Sequence, residues 1–219
     1  MVRRSLHLVF GGGAHVFPGG AVDEADGDGA AAGLCEGLSD ADASAALGVP
    51  NGGLAFWVAA IRECFEESGY LLAYDAGGEI VRLGAPRVTR RFTDHRSAVQ
   101  SGDRRLAEVC IEEHLRLAAD ALSYVSRWIT PEGAPRRFDT RFFLGAAPAE
   151  QTPVHDATET IAHEWVRPAA ALDRHRKGEF DLMFPTLKTL EWLAAARSVS
   201  DVLGAAAAGV MAPAEFLRG

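Results

Sequence analysis

"AAIRECFEESGY", residues 59–70, sets Glu63, Glu66 and Glu67 at i, i+3 and i+4 beside Arg62, and the rest of the chain is best read outward from it. Residues three and four apart are neighbours on a helix, so these carboxylates share one face. Trp57, Ile61 and Cys64 fall at i, i+4 and i+7 and form an apolar stripe, which predicts a helix from Leu54 to Ser68 ended by Gly69. Like charges at this spacing repel by a few tenths of a kcal/mol per exposed pair and call for a compensating cation. A fixed group of carboxylate oxygens suits Mg²⁺ or Mn²⁺, hard ions that also hold substrate phosphates. For an arbitrary pattern of this kind a solvated acidic face is the commoner reading. Context shifts the balance: "HVFPGG", residues 15–20, is a glycine turn able to lend a backbone carbonyl.

Composition narrows the function classes. The chain has 219 residues, 48% of them hydrophobic, enough for one substantial core. Its formal net charge of −8 leaves no basic footprint for a nucleic-acid polymer. Three widely spaced cysteines, Cys35, Cys64 and Cys110, read as reduced thiols. No segment approaches the roughly 20 apolar residues of a membrane span, and "MVRRSLHLVFGGG" is too short in apolar residues for a signal peptide. A cytoplasmic protein is expected, with a homodimer as one option for its assembly.

Along the chain, "SLHLVF" reads as a strand. Residues 23–53 turn to Ala, Gly and Asp and read as an inserted, surface-lying segment with a short helix near 39–47; a flexible excursion without chemistry is the favoured account. "EIVRLGAPRV" (79–88) and "RRFDTRFFLGAA" (136–147) read as strands, "RLAEVCIEEHLRLAADAL" (105–122) as an amphipathic helix, and "HEWVRP" (163–168) as a strand. "PAAALDRHRKG" and "PTLKTLEWLAAAR" open on prolines and read as helices, the second beginning a helical tail over 184–219.

"RECFEESGY" resembles the second half of the Nudix box, G-x5-E-x7-R-E-U-x-E-E-x-G-U with U aliphatic, and "FPGG" resembles the entry to its first half. Arg62, Glu63, Glu66, Glu67 and Gly69 match position for position. Gly20 and Arg62 stand 42 positions apart where the uninterrupted box has 14, so 28 residues are inserted. The interrupted box, "RRFDTRFF" and "DATETIAHEWVRPAAAL" together resemble the Nudix branch that contains the peroxisomal coenzyme A diphosphatase and its bacterial relatives. That resemblance covers about residues 3–190. It implies an α+β Nudix fold, an α/β/α sandwich with a central mixed sheet, in a single domain over 1–219.

It also implies that Glu63, Glu66, Glu67 and the Gly20 carbonyl hold Mg²⁺ or Mn²⁺, while Arg62 pairs with a box acid and orients the others. Counting forward from Gly20, that acid falls on Asp26; Glu24, or an acid beyond the insert, is the alternative. The reaction implied is attack of water on a diphosphate phosphorus, with Glu67 as first choice of general base and Glu164 or Glu159 as later-loop candidates. Coenzyme A hydrolases of the superfamily carry L-L-T-x-R-[SA]-x3-R-x3-G-x3-F-P-G-G. Arg4, Ser5, Gly13 and Phe17 to Gly20 match it, making Arg4, Gly13 and Gly19 candidate substrate-binding positions, whereas Val9 stands where its second arginine belongs.

The resemblance further implies a leading core strand of which the chain keeps "VRRSLHLV"; a start codon placed too late and a shortened sheet edge both stand open. The expected substrate is a small nucleotide diphosphate, coenzyme A or an acyl derivative first, with ADP-ribose or a dinucleotide as alternative. A Nudix-fold sensor without turnover is the rival from outside the enzymes. Among lesser candidates, His15, Trp128, Trp165 and Trp192 read as packing residues, and Arg87, Arg90, Arg91 and Arg96 as a solvated loop.

Overall fold

The predicted helix forms over Leu54–Ser68, and the other elements gather around it. The computed structural model describes residues 1–6, 11–134, 136–152 and 160–212. In chain order they form β1 (Val2–Arg4), β2 (His15–Val16), a 3₁₀ turn (Glu24–Gly27), α1 (Gly29–Leu34), α2 (Asp40–Leu47), α3 (Leu54–Ser68), β3 (Ala73–Tyr74), α4 (Pro86–Gln100), α5 (Leu106–Glu112) and β4 (Arg116–Leu117). A second 3₁₀ turn (Ala119–Ala121) precedes β5 (Ser123–Ile129), β6 (Asp139–Leu144), β7 (Thr160–His163), α6 (Pro168–Arg176), α7 (Phe184–Ala195) and α8 (Val199–Ala207).

The strands make an α+β arrangement of three small sheets, ordered β2-β1-β7, β3-β4 and β5-β6, every ladder antiparallel. Among the described residues, parallel pairing enters only as single bridges, His15 to Leu182 and Cys35 to Leu117. The main core lies on the inner face of α3, where Val58, Ile61 and Phe65 are buried against Phe92 and Val99 of α4 and Val109 and Cys110 of α5. Gly69 stops the helix in the left-handed region (φ 77°), where a residue without Cβ is preferred.

The inserted segment is built into the fold. Asp40 of α2 accepts hydrogen bonds from Gly52 N and Leu54 N, both at 3.0 Å, and Ser44 Oγ accepts from Gly53 N at 2.9 Å. The orphan amides at the start of α3 are thereby satisfied from α2, since α3 has no side-chain cap of its own. The same backbone bonds hold the Asp40 carboxyl below its ordinary value. Ala43 and Leu47 of α2 are buried with Leu54 and Trp57.

Two expectations are corrected. "EIVRLGAPRV" is not a strand: Ile80 makes one bridge to Tyr74, and Pro86 opens α4, where its fixed φ suits the first turn. Phe92 and Val99 supply a buried stripe at i and i+7 among polar neighbours, the periodicity that the arginines conceal. The run from 105 to 122 is helical only to Glu112; His114 turns into the left-handed region (φ 55°) and the chain continues as β4 beside β3. "RRFDTRFF" gives β6 as expected, "HEWVRP" is strand only at His163, and both proline-led tail helices form. Among the described residues no helix is long and apolar enough to cross a membrane.

A Cβ at Gly53 would lie 2.3 Å from the Ser44 backbone nitrogen, whereas one at Gly33 in α1 meets nothing. Gly53→Ala should therefore destabilise by about 1–3 kcal/mol through overpacking, and Gly33→Ala should stabilise by about 0.5–1 kcal/mol through helix propensity. Urea unfolding of both variants checks the pair; equal shifts would mean that α2 does not abut the start of α3.

Candidate active site

Arg62 is the hub of the site. Its side chain is 10% exposed, and its Nε and Nη2 donate to the two carboxylate oxygens of Asp26, each at 2.9 Å. Asp26, itself 3% exposed, also accepts from Asp23 N at 2.8 Å. The partner that the sequence left among three options is therefore Asp26, in the 3₁₀ turn near the start of the inserted segment. Nη1 donates to Glu63 and Glu66, both at 3.0 Å, and Nη2 to the Ala21 carbonyl at 2.7 Å. Burial opposes the charge on this guanidinium, but Asp26, Glu66 and Glu63 outweigh it and push its pKa up.

The glycine turn closes on the same helix. Gly19 N donates to Glu67 Oε2 at 3.1 Å, and a Cβ at Gly20 would fall 2.3 Å from Glu63 Oε1. A side chain at Gly20 would displace the Glu63 carboxylate from its present place. Burial holds the Glu63 carboxyl above its ordinary value, with Glu66 adding to the effect and Arg62 opposing it. Here the two segments read from sequence meet, bringing Gly19, Gly20, Arg62, Glu63, Glu66 and Glu67 together.

One residue of the site was misread. Arg96 is no solvated loop arginine: it lies on α4, 8% exposed, and donates through Nε to the Glu66 carbonyl at 2.8 Å. A cation at the C-terminal end of a helix meets the negative end of its dipole. The arginine spacing gave no hint of this, because the stretch that forms α4 was read as the end of a strand followed by a solvated loop.

The donor set fits a divalent cation. Asp26, Glu63 and Glu66 converge on one arginine, the bidentate bond commits most of that arginine to Asp26, and Glu67 is held beside them by the Gly19 amide. Residual negative charge in a half-buried oxygen-rich site is the environment hard ions favour. Among the described residues, the group whose ligand atoms all lie within 4.8 Å of one another is a different one, His95, Glu112 and Glu113. Arginines occupy it instead: Arg91 pairs with Glu113 at 2.7 Å, and Arg104 reaches both Glu112 and His95 Nδ1. It is an ion-pair network joining α4 to α5.

The remaining candidates lie elsewhere. Glu164 pairs with Arg174, whose guanidinium lies 4.5 Å from the ring centre of Phe180. Glu159 and Val9 lie outside the described residues. His15 stacks on Phe180 at 3.6 Å, and burial lowers its pKa, as suits a packing residue. Gly13 (φ 83°) shapes the turn that returns β1 to β2, with Gly13 N donating to the Arg4 carbonyl. Trp128 is buried, but Trp165, expected to pack, is 68% exposed and meets Tyr70 edge-on at 6.0 Å.

A cleft of about 1440 Å³ beside α3 is lined by Gly19 and Gly20 of the turn and by Phe56, Ala60 and Cys64 of the helix. Arg4, Glu164 and the β6 residue Arg141 also line it.

Asp26→Asn should lower stability by about 3 kcal/mol, because it leaves a buried guanidinium short of its bidentate partner. Glu24→Gln, on the exposed neighbour, should stay within about 0.5 kcal/mol of the parent. Denaturant midpoints measure both; a larger loss at Glu24 would assign Arg62 to the wrong acid.

A family model of the NUDT19 Nudix domain matches residues 36–193. The chain is 31% identical to the acyl-coenzyme A diphosphatase NUDT19 of Homo sapiens, the match covering 92% of this chain and 62% of that protein. Identity to the Gallus gallus protein of the same name is 32%, with the same coverage. The chain thus spans about 62% of the length of these relatives. The crystal structure of a NUDIX hydrolase from Alicyclobacillus acidocaldarius superposes with a TM-score of 0.76 at 26% identity, over 97% of this chain and 88% of that one.

Proposed function

As the chain belongs to the NUDT19 Nudix domain family, we propose that it hydrolyses the diphosphate of coenzyme A or an acyl derivative to 3′,5′-ADP and (acyl)phosphopantetheine. The observation that carries this reading is the joining of both box halves: Gly19 N on Glu67, Gly20 against Glu63, and Asp26 on Arg62 across the insert. The similar proteins named acyl-coenzyme A diphosphatase supply the substrate class.

Glu63, Glu66, Glu67 and the Gly20 carbonyl would hold Mg²⁺ or Mn²⁺. Such an ion neutralises diphosphate oxygens and makes a coordinated water more acidic. The chain's own part is to fix the oxygens. Arg62 draws Glu63 and Glu66 together from one guanidinium nitrogen. Gly19 N–H holds one oxygen of Glu67, which orients that carboxylate to take the proton of the attacking water as it adds to phosphorus. Arg96 anchors the end of the helix that bears all three. The leaving phosphate departs as the P–O–P bond breaks, and the proton remains on Glu67 until solvent removes it.

Incubation with coenzyme A, acetyl-coenzyme A, ADP-ribose and diadenosine polyphosphates, each with Mg²⁺ or Mn²⁺, should release 3′,5′-ADP from the first two. Glu66→Gln with Glu67→Gln should lower kcat by about 10²-fold or more. Turnover by that double variant at the parent rate would remove the site from α3. Tight binding of one compound with no cleavage of any would make the domain a sensor.

A further inference from the structure

The "RRFDTR" segment, residues 136–141, has no part in the hydrolytic site, yet it carries three arginines to the wall of the same cleft. Arg141 on β6 is the built element. Its side chain is 7% exposed, and its guanidinium lies 4.2 Å from the ring centre of Phe56 on α3. Asp139 is its nearest carboxylate, at 3.3 Å, but Asp139 is bound by Arg127 through two bonds of 2.7 Å. Arg141 Nε is buried and, among the described residues, makes no hydrogen bond. A buried charged donor without an acceptor is costly and marks a place for one.

Charge and position agree. From Arg127 to Arg141 there are four arginines against Glu132 and Asp139, in a chain whose formal net charge is −8. Arg136 and Arg137 are exposed at the rim, where Arg137 Nε donates to the Thr130 carbonyl. Phe56, Glu63 and Glu67 stand at i, i+7 and i+11, on one face of α3, and seven residues rise roughly 10 Å. A substrate whose diphosphate sits at Glu63 and Glu67 would extend along that face toward Arg141.

We propose that Arg141, with Arg136 and Arg137 at the rim, is a second anion subsite that binds the phosphomonoester on the nucleoside of the substrate. It selects nucleotide diphosphates bearing a sugar phosphate over those with a free hydroxyl there. The inference rests on the proposed hydrolysis for its substrate and adds a specificity determinant to it. Arginine suits the role because its planar donors match phosphate oxygens in pairs.

The test compares coenzyme A with 3′-dephospho-coenzyme A, using the full chain with Mg²⁺. The parent should favour coenzyme A in kcat/KM by about tenfold or more, the worth of one charge-assisted contact. Arg141→Gln, and separately Arg136→Gln with Arg137→Gln at the exposed rim, should bring that ratio toward one. A ratio near one in the parent, or one that neither variant moves, overturns the subsite while leaving the hydrolysis intact. Calorimetric binding of 3′,5′-ADP against 5′-AMP separates the two readings. If neither coenzyme is cleaved but 3′,5′-ADP binds the tighter in a way that Arg141→Gln abolishes, the hydrolysis fails and the subsite stands; without that preference both fall.

Discussion

The bidentate bond between Arg62 and Asp26 is the constraint on which the site depends. It spans 36 positions of sequence and closes the inserted segment at its base, so that residues 27–61 can leave and return without separating the glycine turn from the carboxylate helix. The same guanidinium draws Glu63 and Glu66 inward and binds the Ala21 carbonyl. One rigid, permanently charged fork thus fixes both the order of the chain and the placement of the acids. A lysine, with a single point charge, could not make these bonds together.

The insert then contributes to the helix it interrupts. Its α2 supplies Asp40 and Ser44 to the amides at the start of α3, while Arg96 from α4 holds a carbonyl at the other end. A helix that bears clustered like charges is held at both termini by groups from other elements, which offsets the repulsion along its face. This accounts for a helix with three acids and only one arginine in its last two turns.

The cleft beside α3 is lined by Arg136, Arg137 and Arg141 of the β5-β6 hairpin and by the glycine turn whose Gly19 amide holds Glu67. In an acidic chain such a cluster of arginines attracts a polyanionic ligand.

The sequence by itself determined α3 to its end residues, since period, acid spacing and Gly69 are all local signals. It also determined which residues of the two box halves belong together, and Asp26 was among its choices for Arg62. Tertiary structure alone decided that choice, because Asp23, Glu24 and Asp26 lie too close in sequence for spacing to distinguish them. It alone turned Arg96 inward, exposed Trp165, and packed a segment rich in Ala, Gly and Asp against the start of α3. Those outcomes depend on contacts between residues distant along the chain, which no local period encodes. The buried Arg141 belongs with them: alternation placed it on a strand, but the approach of Phe56 and the pairing of Asp139 with Arg127 are tertiary, and they leave its Nε without a hydrogen bond among the described residues.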